Sequence, residues 1–143
     1  MKALVWTEPG KIELREVPVP RPQAGWALVK TAFGGICGSD ITITAGKHPR
    51  AKAPLILGHE LSGSIIEINR EGLKEPYALK EGDRVVLEPL LSCGTCGPCL
   101  KGHDHVCERL KLSGVETDGG FAEYFVAPMH RLYGIAPHIT EEE

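Results

Sequence analysis

Seventeen glycines and eleven prolines are dispersed through the 143 residues as turn punctuation, together about a fifth of the chain. They are not gathered into a low-complexity tract. What lies between them is confined to short runs rich in Val, Ile, Leu and aromatic residues, the pattern of strands bounded by turns. Candidate strands fall at 2–6, 12–17, 26–33, 60–68, 84–87, 121–127 and 132–135. In Ala27-Leu28-Val29-Lys30-Thr31-Ala32-Phe33 the odd and even positions are expected to take opposite faces. Glu81-Gly82-Asp83 reads as a turn entering a strand, and 39–45 as a short, weak helix because of its β-branched content. No strand–helix–strand alternation of βαβ type occurs, and no internal repeat. The fold class expected is mainly β, a barrel or sandwich with one or two short helices.

A chain of this length removes roughly two thirds of its extended surface from water on folding and needs no disulfides to build a core. Sixteen basic against nineteen acidic residues give a net charge of -3. That balance argues against a nucleic-acid binder, which would show a basic patch or stripe. The sequence shows no charged-plus-apolar leader and no apolar run long enough to span a bilayer, so a cytoplasmic chain with no membrane partner is expected. Five cysteines, an odd number, in a reducing compartment favour metal binding over a disulfide framework.

Four of the five lie in LSCGTCGPCLKGHDHVCER, at Cys93, Cys96, Cys99 and Cys107. The segment lacks any period, so something other than a core must shape it. Four thiolates this close in sequence can wrap one ion in the tetrahedral set zinc prefers. Gly94, Gly97 and Gly102 let the backbone turn tightly enough for the ligands to converge. Four protein ligands leave no open position, so such a site holds a loop and polarises nothing. Disulfides, redox chemistry at Cys-x-x-Cys and an iron–sulfur cluster are the competing readings, and the compact spacing favours a single ion. His103 and His105 are further donors that four thiols leave unneeded.

Chemistry must then be sought elsewhere. Cys37 sits in Gly35-Ile36-Cys37-Gly38-Ser39-Asp40 at a strand-to-helix turn, and Leu57-Gly58-His59-Glu60 enters another strand. Alone, Cys37 reads as a small buried hydrophobe, His59 as a structural histidine and Glu60 as a solvated charge. Together they offer a thiolate, an imidazole and a carboxylate, three ligands that leave zinc's fourth position for water or substrate.

The order Gly-Ile-Cys-Gly-Ser-Asp at 35–40, Gly-His-Glu at 58–60, Gly-Asp-Arg-Val at 82–85, the four-cysteine loop and Asp118-Gly119-Gly120-Phe121-Ala122-Glu123-Tyr124 resembles the zinc-dependent medium-chain alcohol and polyol dehydrogenases. It is most similar to the sorbitol, threonine and butanediol dehydrogenase branch, and the likeness covers nearly the whole chain. The resemblance implies a GroES-like catalytic domain, a partly open barrel with short helices and a zinc-binding loop. It implies Cys37, His59 and Glu60 as ligands of a catalytic zinc, and Cys93, Cys96, Cys99 and Cys107 as ligands of a structural one. It assigns Ser39 the contact to the substrate oxygen and Asp40 the orientation of the zinc-bound histidine. The implied partners are a small alcohol, polyol or ketone, with NAD or NADP as hydride carrier and a possible homo-oligomer.

Two features depart from the family's pattern. Thr42 stands where many relatives carry a histidine that continues a proton relay. No Gly-x-Gly-x-x-Gly follows any strand, so the Rossmann domain that would bind the dinucleotide is missing from these 143 residues. Thr140-Glu141-Glu142-Glu143 has the form of a capping box at the start of a helix. The organisation expected is therefore a catalytic domain over 1–139, with 140–143 opening the connection to a nucleotide-binding domain. This segment alone is expected to be inactive. The alternatives are a stand-alone zinc-binding interaction module on the same scaffold and, from fold alone, a co-chaperonin-like role.

Overall fold

The structure is a computed structural model that describes residues 1–73 and 78–140. The capping box expected over 140–143 reaches outside the described residues. Strands β1 (Lys2–Glu8) and β2 (Lys11–Glu16) form a hairpin across Pro9-Gly10. Proline followed by a glycine at φ 80° suits a tight type II turn. β1 also pairs with β4 (Leu55–Ile56), giving a three-stranded sheet in the order β2-β1-β4.

The larger sheet is antiparallel and five-stranded. It contains β3 (Trp26–Gly35), β5 (Glu60–Ile68), β6 (Arg84–Leu87), β9 (Tyr124–Pro128) and β10 (Leu132–Gly134), in the order β10-β6-β5-β3-β9. Two-residue strands β7 (Leu90–Leu91) and β8 (Lys111–Leu112) pair with each other alone. They form the neck of the cysteine lobe. Backbone bonds from Leu4 to Phe121 and from Glu123 to Lys2 stitch the two main sheets together ahead of β9. The result is the mainly β, partly open barrel expected from the sequence. Among the described residues no helix is long and apolar enough to cross a membrane.

The strand expected at 121–127 begins at Tyr124 instead: residues 119–121 donate to Ile56, Gly58 and Leu57 without forming a regular ladder, and Ala122 meets β1 in an isolated bridge to Ala3. The expected two-face alternation along β3 also fails. Ala27, Leu28 and Val29 are all buried, since the pairing with β5 shifts register between Leu28 and Val29 and again between Thr31 and Phe33. Such bulges turn consecutive side chains inward and bend the strand.

One apolar cluster fills the five-stranded sheet around Val29, Ile65, Val85 and Phe125. A second joins Trp6 of β1 to Ile43, Leu55, Leu57 and Val115. Phe121 packs against both clusters. Ile43 belongs to helix α1 (Gly38–Thr44), so this second cluster seats the helix that follows Cys37.

Candidate metal centres

β3 ends at Gly35 and α1 begins at Gly38, which leaves Cys37 as the helix N-cap in extended conformation. Asp40, on the first turn, reaches back and accepts the Cys37 N–H through Oδ2 at 2.9 Å. This is one arm of a capping box and is favourable near the positive end of the helix. Asp40 is 4% exposed, and its other oxygen faces Nδ1 of the equally buried His59 at 3.6 Å. Neither of these two buried atoms has a hydrogen-bond partner, so they face each other as a charge and a ring nitrogen. One buried carboxylate thus stands behind both Cys37 and His59. A proton on Nδ1 points at that charge, and Nε2 presents its lone pair on the other side. The Ser39 hydroxyl lies 3.3 Å from Nε2.

Glu60 opens β5 and is paired with Gly35, the last residue of β3. A Cβ on Gly35 would stand 2.5 Å from Glu60 Oε2, so the carboxylate lies across the glycine. In this way one ligand atom each from Cys37, His59 and Glu60 falls within 4.8 Å of the others. The donor set fits an ion of zinc's character: a soft thiolate, an imidazole with a carboxylate behind it, and an exposed carboxylate. Thr42 stands apart, its exposed hydroxyl donating to the Gly38 carbonyl at 3.0 Å.

The four-cysteine segment is irregular apart from two single turns, α2 (Gly97–Leu100) and a 3-10 turn at Asp104–Val106. Its four sulfurs are also mutually within 4.8 Å. Cys96 and Cys99 are 3.4 Å apart, Cys96 and Cys107 3.9 Å, and Cys93 and Cys99 4.0 Å. Zinc–sulfur bonds of ~2.3 Å in a tetrahedron give edges of about 3.8 Å. The sulfurs are therefore unbridged and spaced for one ion. His103 and His105 lie edge to face at 6.1 Å, outside the ligand cluster.

Electrostatics divides these thiols. The Thr95 backbone N–H, and then the Arg109 guanidinium, draw Cys93 down to about 5. Backbone N–H groups of Cys99 and Glu108 lower Cys96 as well. Burial, with neighbouring sulfurs adding to it, pushes Cys99 up to about 12. Four thiolates in one small space repel one another, and a bound cation removes that repulsion.

Sequence reasoning missed the group that fastens this lobe to the barrel. Arg131, 4% exposed, donates to Glu88 at 2.8 Å, to Ser92 at 2.9 Å and to Asp104. Tyr133 donates to the same Glu88 oxygen at 3.1 Å. No spacing pattern marks an isolated arginine that bonds residues 27 to 43 positions away. Arg109, donating to Cys93 Sγ at 3.4 Å and Thr95 Oγ1 at 2.6 Å, was also unassigned, although its place two residues after Cys107 is a usable signal.

The model of the alcohol dehydrogenase GroES-like domain matches residues 23–137. The chain belongs to this family. L-threonine 3-dehydrogenase of Pyrococcus horikoshii is 40% identical over 137 residues, covering 93% of this chain and 38% of that protein. D-altritol 5-dehydrogenase of Agrobacterium fabrum is 38% identical over 135 residues, covering 94% and 39%. Among solved structures, a short chain alcohol dehydrogenase from E. coli CFT073 complexed with cofactor NADH superposes with a TM-score of 0.88 at 37% identity, covering 99% of this chain and 40% of that one. The GroES-like domain described here thus spans about two fifths of the length of these relatives. Those relatives are named as D-altritol, L-threonine and alcohol dehydrogenases.

Proposed function

We propose that this chain is the catalytic domain of a zinc-dependent, NAD(P)-linked alcohol or polyol dehydrogenase. In this reading residues 1–139 form the domain and 140–143 open the connection to a nucleotide-binding part. The observation that carries the reading is the convergence of Cys37, His59 and Glu60, with the Ser39 hydroxyl against the imidazole and a buried Asp40 behind it. A scaffold used only for binding partners needs no three-ligand site with a free position and a hydroxyl beside it.

Cys37, His59 and Glu60 would hold zinc, and its Lewis acidity lowers the pKa of an alcohol oxygen toward neutrality. Asp40 keeps the imidazole in the tautomer whose Nε2 is free for the ion, and fixes the Cys37 backbone at the same time. Ser39 stands where it accepts the alcohol proton in a hydrogen bond and passes it outward. Thr42 does not extend that path as a histidine would, because a hydroxyl takes up no proton near neutral pH and its own proton is donated to the Gly38 carbonyl. The proton leaves Ser39 to water. A nicotinamide carried by the nucleotide-binding part would accept the hydride from the alcohol carbon. In the reverse direction the same residues accept a ketone. Cys93, Cys96, Cys99 and Cys107 would hold a second zinc with no open position, a folding element only.

Metal analysis after purification under reducing conditions tests this reading. Two zinc ions per chain are expected in the wild type and one in Cys37→Ser. One zinc or fewer in the wild type with the thiols intact overturns it. Alcohol oxidation by residues 1–143 with NAD alone would contradict the need for a nucleotide-binding part.

A further inference from the structure

His59 reaches the ligand cluster from a turn that Leu57 anchors in the second apolar cluster but whose backbone carbonyls find their partners outside it. Leu57-Gly58-His59 joins β4 to β5, and Gly58 has φ 93°, a conformation that favours glycine. A strap from Ser113 to Phe121 lies on this turn and supplies what it lacks. The N–H groups of Gly119, Gly120 and Phe121 donate to the carbonyls of Ile56, Gly58 and Leu57 at 2.8, 3.1 and 2.9 Å. Asp118 Oδ1 accepts the Ile56 N–H at 3.0 Å.

The two backbones touch. A Cβ on Gly119 would stand 2.0 Å from the Gly58 carbonyl oxygen, and a Cβ on Gly114 would stand 2.6 Å from it. A Cβ on Gly58 would enter the Phe121 ring at 2.4 Å. Backbone atoms cannot rotate out of the way as a flexible side chain does, so a methyl at Gly119 must move the turn. Real Cβ contacts essentially never fall below 3.0 Å, which requires a displacement of about 1 Å. Metal–ligand distances tolerate only about 0.2 Å. The displaced residue is the neighbour of His59, whereas Cys93, Cys96, Cys99 and Cys107 all precede β8 and the strap that follows it.

The geometry points to Gly114 and Gly119 as positioning residues for the metal-ligating His59: their missing side chains let the strap seat the turn and so set where Nε2 stands. This rests on Cys37, His59 and Glu60 being a metal site. The role is distinct from that of Asp40, which orients the imidazole ring. The strap places the backbone that carries it.

The test is anaerobic cobalt(II) titration of the reduced full chain, read by absorption. The wild type should take up two ions, a four-thiolate centre and a second centre with one thiolate that Cys37→Ser abolishes. In Gly119→Ala the four-thiolate absorption should develop with the wild-type midpoint. The second centre should bind roughly tenfold or more weakly, with shifted ligand-field bands, on the scale of losing an outer support of a metal ligand. Gly82→Ala is the control for backbone strain, because Gly82 has φ 89° with nothing within 4 Å of its Cβ position. It should leave both centres unchanged. If Gly119→Ala loses the four-thiolate centre and the fold, Asp118→Ala decides, since it frees the Ile56 N–H without adding an atom. Wild-type affinity and bands at the second centre in a folded Gly119→Ala, or in Asp118→Ala in that event, overturn the inference. A wild type that takes up only one ion overturns the metal reading itself, a separate result.

Discussion

The two ligand clusters reach similar compactness by opposite means. In the cysteine lobe all four donors lie within fifteen residues of chain. The elements around them are single turns and a neck of two-residue strands, and none of the large buried side chains belongs to the lobe. In the other cluster, Cys37 and His59 are separated by more than twenty residues. They meet because β3 and β5 pair in a register that sets Gly35 opposite Glu60. Core packing holds that site together, whereas in the proposed reading the lobe depends on the ion that its sulfurs would hold. A local cluster needs its ion to fold, and a cluster assembled by a core folds first and offers the ion a place.

Exchanging one sulfur at each cluster gives the largest expected contrast. Cys107→Ser should abolish metal binding in the lobe, open it to proteases between Ser92 and Leu110, and lower Tm by on the order of 10 °C, because binding energy there is folding energy. Cys37→Ser should remove one ion per chain and shift Tm by no more than about 2 °C, since its thiol carries little packing. Zinc content, limited proteolysis and thermal unfolding of the two variants side by side check both. Equal losses of Tm would break the comparison.

Arg131 is the place where the lobe borrows from the barrel. Arg131→Met keeps the buried stem but removes the donors to Glu88, Ser92 and Asp104. The partners are partly exposed, with side chains at 31% and 41% for Glu88 and Asp104, so water can take over part of what they lose. The expected cost is about 2 kcal/mol, measured by denaturant unfolding, with faster loss of zinc to a chelator from the lobe and not from the other site. Unchanged chelation kinetics would show that the lobe stands without this clamp.

How much of this could be read from the sequence follows the same division. The convergence of the four cysteines was legible because they are adjacent in sequence and their spacing is that of a metal-binding loop. The strands were legible as Val- and Ile-rich runs between glycines and prolines, but their edges and bulges were not. Nothing local distinguishes Leu28 from Val29 at the point where the register slips. Cys37, His59 and Glu60 came as candidates from their donor types and from family resemblance, since each alone is an ordinary residue. Arg131 and the Ser113–Phe121 strap were not legible, because Arg131 holds side chains 27 to 43 positions away and the strap seats the distant turn at residues 56–58. Asp118-Gly119-Gly120 stands out in the sequence as part of a family motif, but what it does depends on Gly58 beneath it.

Asp40→Asn sharpens the comparison from the other side. The amide keeps an acceptor for the Cys37 N–H and removes the charge facing His59 Nδ1. Metal affinity at Cys37, His59 and Glu60 should fall about tenfold, with the lobe unaffected. Competition with a chromophoric chelator resolves the two sites. A parallel loss in the lobe would mean that Asp40 acts through global stability.

The smallest effect concerns pH. The Arg131 guanidinium beside Asp104 holds its carboxyl below the ordinary aspartate value of 3.8. A carboxyl lowered in the folded state stabilises the fold above its unfolded pKa, and that stabilisation is lost as pH falls through the lower, folded value. Asp104→Asn should therefore unfold at a lower Tm than the wild type at pH 7, with the same offset at pH 5.5, and the offset should shrink as pH is taken down through 3.8 and below. Both proteins lose metal in acid as their thiolates protonate, so the comparison rests on the difference between the two chains at each pH and not on either curve alone. An offset that persists undiminished at the acid end would mean that Asp104 serves the lobe by its shape and hydrogen bonds, and that its charge contributes nothing to the clamp.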